Sequence, residues 1–152
     1  MLAGIEAATG RKLPLNFSAT LAAATLARLR AEVRAMPHAV HALTWLRGPK
    51  CVASSSPPDR VRASLETTGL AKFFNFLFSA SNVRNGKPAP DLFLHAASRM
   101  GVQAADCIVV EDSPAGVAAA TAAGMAALGF VGGSHAGAVS YTHLTLPTIC
   151  SV

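Results

Sequence analysis

From Lys50 onward the apolar residues fall in short runs, Lys50–Ser56, Phe76–Ser79, Cys107–Val110 and Ala126–Phe130. The run Cys107–Val110 has no polar alternation, which predicts a strand buried on both faces, as in a parallel sheet. Helical stretches separate the runs. They are expected over Asp59–Thr68, over Leu92–Met100 and from Ser113 to Gly124, closed by Gly69, Gly101 and Gly124. Ser56 is expected to cap the first of these helices, and Asp91 to cap or charge the start of the second. Ser113 is expected to cap the third, with Pro114 at its first position. Strand and helix thus alternate from Cys51 to Phe130, which predicts an α/β fold: a right-handed, doubly wound parallel sheet.

The residues ahead of Lys50 stand outside this alternation. A weak helix is expected over Leu2–Thr9 and a clear one from Ser18 to Met36, with Leu21, Thr25, Leu26, Leu29 and Val33 on one stripe. Pro37 is expected to begin another, with Val40, Leu43, Trp45 and Leu46 on or near its buried side, ended by Gly48–Pro49.

Composition changes this picture little. The chain has 152 residues, enough for one domain with its own core, and 51% are hydrophobic against 14% charged. Its apolar stretches are Ala-rich and interrupted, so no transmembrane helix and no membrane partner are expected. The start lacks the order of a signal peptide, and a cytoplasmic location is the expectation. Three cysteines, at 51, 107 and 150, give neither a disulfide framework nor zinc spacing. The net charge of +5 comes from arginines spread along helices and not clustered with aromatics, so no nucleic-acid partner is expected.

Candidate chemistry gathers where strands end. Glu111 and Asp112 follow the run Cys107–Val110 and precede a helix, the place where open α/β sheets hold their ligands. Adjacent carboxylates repel, and a partly hydrated Mg²⁺ is the simplest relief. The bland alternative is a helix-start acid beside a solvated one. Ser54, Ser55 and Ser56 end another strand, where hydroxyls and backbone N–H groups can bind phosphate or cap the next helix. Lys87 lies between Gly86 and two prolines, Pro88 and Pro90, whose stiffness fixes where its ammonium points.

Together, Val52-Ala-Ser54-Ser-Ser56, Gly86-Lys87-Pro-Ala-Pro-Asp91 and Val110-Glu111-Asp112-Ser113-Pro-Ala-Gly116 resemble motifs of the haloacid-dehalogenase superfamily. The subgroup is that of sugar-phosphate phosphatases and β-phosphoglucomutases with a helical cap. The resemblance spans about residues 36 to 135. It implies that Ser54, with Ser55, binds the transferring phosphoryl group. Lys87 would be the catalytic lysine that neutralises charge on that group. Asp112 would be the direct Mg²⁺ ligand, with Glu111 helping directly or through water. Residues 1–35 would be the remnant of the cap and 36–138 the core.

One family motif has no counterpart. Its first strand carries Asp-x-Asp, the first Asp being the nucleophile that becomes an aspartyl-phosphate. The aspartates here are Asp59, Asp91, Asp106 and Asp112, and none forms such a pair. The expectation is a fragment that begins inside the cap, lacks the central strand and is itself inactive. In the family that strand lies between those ending at Ser54 and at Glu111, so these two either stand apart or close up and pair. Val139–Thr148 looks like a translated sequencing adapter, and residues from about 139 are read as non-native.

The parent is expected to be a monomeric, Mg²⁺-dependent phosphatase of a small phosphorylated metabolite. A phosphomutase built on the same core is the alternative. From other classes come a phosphate-binding module without chemistry and a receiver-like signalling domain.

Overall fold

The computed structural model describes residues 2–132, so the adapter-like tail and the end of the expected core lie outside the described residues. Six α-helices are described: α1 Leu2–Thr9, α2 Phe17–Glu32, α3 Ala39–Trp45, α4 Pro58–Thr67, α5 Asp91–Met100 and α6 Pro114–Ala122. The four described strands are β1 Cys51–Ser54, β2 Phe76–Ser79, β3 Ile108–Glu111 and β4 Ala126–Gly129. The expected alternation is therefore present, and all pairing is parallel.

The sheet is in two halves. β1 pairs with β2 in a register that sets Ser54 opposite Ser79, and β3 pairs with β4 so that Glu111 faces Gly129. Among the described residues β1 and β3 are not hydrogen-bonded to each other. Of the two arrangements expected for these strands, the one in which they stand apart is observed.

Two apolar clusters form; α5 serves both, and Ala53 of β1 packs against each. Leu92 and Ala96 pack with Phe78, and the partly buried Cys51 and Ala53 complete that cluster. One residue further on, Phe93 and Ala97 join Cys107, Val109, Ala119, Ala120, Ala123 and Met125. The helix thus shows one side to each half-sheet, the i, i+4 pairs Leu92/Ala96 and Phe93/Ala97 defining the two. α6, almost all small residues, packs on β3 and β4. α4 packs on β2, and α2 in turn rests on α4.

Several local expectations are corrected. The run Cys107–Val110 is not buried on both faces: Val109 is buried, but Val110 is 61% exposed, because no described element covers its side. α2 ends at Glu32, and Pro37 does not open α3, which starts at Ala39 after His38 takes a left-handed backbone. The stripe on α2 contains no buried residue, nor does α3, whose Trp45 is 65% exposed. Ser56 does not cap α4: Pro57 stands at that position with no side-chain cap. Asp91 lies in the first turn of α5 and not at its cap, and its carboxylate accepts from the backbone and side-chain N–H groups of Asn85 instead. Ser113 does cap α6, accepting from the Gly116 N–H at 3.0 Å.

Candidate functional site at the strand ends

Lys87 lies between the two half-sheets. Its segment is drawn tight by the Asn85–Asp91 hydrogen bonds and by a turn in which the Ala89 N–H donates to the Gly86 carbonyl. The Lys87–Pro88 peptide is cis. From this loop the side chain runs inward, and its ammonium donates to the Ala53 carbonyl of β1 at 3.1 Å. It also pairs with the Glu111 carboxylate at the end of β3. Phe93 supplies a floor, with Nζ 4.6 Å from its ring centroid, so the cation also meets the negative face of a π system. One ammonium therefore touches both sheet halves at their carboxyl ends.

Burial strengthens this contact. The side chains of Lys87 and Glu111 are only 8% and 10% exposed, so neither charge is well solvated and each depends on the other. Glu111 is held from a second side, since the Ser113 hydroxyl donates to its Oε2 at 2.9 Å. Gly116 closes a third side: a Cβ built there would overlap the Glu111 carboxylate. The sequence marks Gly116 as part of a motif, but only the fold brings up the carboxylate that requires it.

The serines reach the same edge from β1. Ser54 ends the strand, and its Oγ accepts from the Ser56 N–H at 3.1 Å. Ser55, next along, is exposed. The loop is fixed from below by Ser79, a polar side chain only 1% exposed, whose hydroxyl donates to the Ser56 carbonyl at 2.8 Å. Sequence reasoning missed Ser79, which reads as the end of an apolar run. Its place follows from the register that sets it opposite Ser54, which the sequence pattern does not carry.

Asp112 follows Glu111, is partly buried, and has no hydrogen bond or ion pair among the described residues. No group of three or more His, Cys, Asp or Glu side chains gathers to hold a metal among those residues. A magnesium ion keeps several waters and needs only one or two protein carboxylates, so an all-oxygen site built on Asp112 fits the chemistry. Glu111 is less available for direct ligation, being occupied by Lys87 and Ser113.

Elsewhere, a cavity of about 570 Å³ is lined by His41, Thr44, Trp45, Leu46 and Arg47, and none of the strand-end residues borders it. Cys51 lies under the site at the start of β1. Burial, with a smaller contribution from the Cys107 thiol, pushes its pKa up to about 11, so it is not a thiolate nucleophile near neutral pH. Among the described residues no helix is long and apolar enough to cross a membrane.

Comparison with known proteins places the chain in a family. Residues 5–124 match the haloacid dehalogenase-like hydrolase family. Fructose-1-phosphate phosphatase YqaB of Escherichia coli (strain K12) is 44% identical over 82 residues, covering 54% of this chain and 44% of that protein. The 6-phosphogluconate phosphatase of the same organism is 34% identical, covering 74% of this chain and 52% of its own length. Among solved structures, a HAD family hydrolase from Deinococcus radiodurans R1 with bound phosphate and sodium superimposes with a TM-score of 0.65. It is 31% identical, over 84% of this chain and 58% of that one. The chain spans about half the length of the curated relatives it matches. With the match over residues 5–124 and its parallel α/β halves, the chain belongs to the haloacid dehalogenase-like hydrolase family.

Proposed function

We propose that the strand-end edge is the phosphoryl-binding side of a Mg²⁺-dependent phosphatase acting on small phosphorylated metabolites, sugar phosphates foremost. The observation that carries this reading is the Lys87 ammonium, buried between β1 and β3 and touching Ala53 and Glu111. An ammonium has three N–H donors. Ala53 and Glu111 take two, which leaves one for a phosphoryl oxygen. Ser54 accepts a hydrogen bond but has no acceptor for its own proton among the described residues, so its hydroxyl is available to the same oxygens. Ser55, exposed beside it, can add a second donor.

Asp112 would hold the magnesium, and Glu111 would contribute through water while keeping Lys87 in place. The cation would supply charge neutralisation on the phosphoryl oxygens. Lys87 and Glu111 cancel each other's charge, so Asp112 alone would leave this edge negative and repel phosphate. A divalent cation reverses that sign. The names of the relatives, a fructose-1-phosphate phosphatase and a 6-phosphogluconate phosphatase, support the substrate class.

The chain holds charge-stabilising groups but no Asp-x-Asp pair to attack phosphorus. It should therefore bind inorganic phosphate in the presence of Mg²⁺ without turning over a phosphate ester. Calorimetric titration of inorganic phosphate into the 152-residue chain and into Lys87→Ala tests the reading. Binding lost in the variant is expected; equal binding by both would overturn the reading, whereas ester hydrolysis that requires Lys87 would overturn only the expectation that this chain does not turn over.

A further inference from the structure

We propose that Ser113 is a positioning residue: it couples the start of α6 to the aim of the Lys87 ammonium through Glu111. The inference rests on the reading of Lys87 as the phosphoryl-facing cation, and adds what sets its direction. A hydroxyl has one proton to give and two lone pairs to accept with. The Gly116 backbone N–H can only donate, so at that contact, 3.0 Å long, the Ser113 oxygen must accept. Its proton is then directed to Glu111 Oε2, 2.9 Å away. With Oε2 held there, Oε1 faces Lys87.

Gly116 supplies an independent observation. The space its missing Cβ would take is occupied by the Glu111 carboxylate, so Glu111 cannot swing toward α6 and stay clear of backbone. Ser113 pulls on one oxygen, Gly116 bounds the group sterically, and Lys87 meets the other oxygen. A cap residue needs none of this. Gly at an N-cap costs a helix only a few tenths of a kcal/mol relative to Ser, so a cap role and a positioning role separate experimentally.

The test compares Ser113→Gly, Ser113→Thr and Lys87→Ala with the unaltered 152-residue chain. Inorganic phosphate affinity is measured by calorimetry with Mg²⁺ present, and the thermal midpoint by circular dichroism on the same samples. Ser113→Gly is expected to bind phosphate about tenfold more weakly, the scale of one lost hydrogen bond to a charged group, with little change in midpoint. Ser113→Thr, which keeps the hydroxyl, is expected to restore affinity. Unchanged affinity in Ser113→Gly while Lys87→Ala abolishes binding would overturn this inference alone. A loss that follows the thermal midpoint and is not rescued by Thr would also overturn it, showing a cap and nothing more. Unchanged binding in Lys87→Ala would overturn the functional reading, and this inference with it.

Discussion

The ammonium of Lys87 and the carboxylate of Glu111 form an ion pair across the opening between β1 and β3, with both side chains nearly out of solvent. Removing one partner strands the other's charge. Lys87→Met or Glu111→Gln alone is therefore treated differently by the fold than the two together. Each single change that leaves a buried charge unpaired costs about 3–5 kcal/mol, and a matched neutral pair is nearly neutral. Urea unfolding should show a lower midpoint for Lys87→Met and a partial recovery in Lys87→Met/Glu111→Gln. Additive losses would show that the two side chains do not depend on each other.

Metal dependence should run through Asp112. Phosphate binding is expected to weaken on addition of a chelator and to return with Mg²⁺, while Asp112→Asn makes affinity insensitive to both. Chelator sensitivity retained in Asp112→Asn would place the cation elsewhere.

Cys51 sets an alkaline limit. Its thiol is shifted from the ordinary 9.0 to about 11 by burial and, less, by Cys107. Below pH 9 both folded and unfolded chains hold this proton, and the contribution to stability is complete. Between 9 and 11 the unfolded chain has lost the proton that the folded chain retains, so stability falls as pH rises. Thermal midpoints taken across that window should decline, and Cys51→Ala should flatten the decline. An identical slope in the variant would assign it to another group.

Much of this site was legible in the sequence because the chemistry-bearing residues end or follow strands. Ser54, Lys87, Glu111 and Asp112 each stand out against an apolar run or a pair of prolines, and strand ends in parallel sheets share an edge. What could not be read was pairing. Glu111 looked like half of an acidic pair with Asp112, but a residue 24 positions earlier claims it. Ser79 looked like apolar punctuation, and its burial under the Ser54–Ser56 loop follows from a register that local pattern does not encode. The exposure of Val110 and Trp45 was misread for a related reason: periodicity says which face is apolar, not whether anything covers it.

The open edges have a solution consequence. β1 and β3 are not paired with each other, and unpaired strand edges template association. Unfolding of the chain should be broad with a low midpoint, and size-exclusion chromatography should show association that grows with concentration. A sharp cooperative transition from a monomer would overturn this.

Leu92, fully buried at the head of α5, gives a separate check. Leu92→Ala should cost about 2–5 kcal/mol, as a cavity in the cluster with Phe78 and Ala96.

α5 also joins the two halves that carry the site. Ser54 belongs to the half-sheet gripped by Leu92 and Ala96, and Asp112 follows the strand gripped through Phe93 and Ala97. The two strand ends are thus tied to each other through residues of a single helix. A methylene added to Ala96 or Ala97 would overpack the cluster through which α5 holds one of the halves. The placement of the two strand ends relative to each other thus runs through small residues of one helix, away from the edge where Ser54 and Asp112 lie.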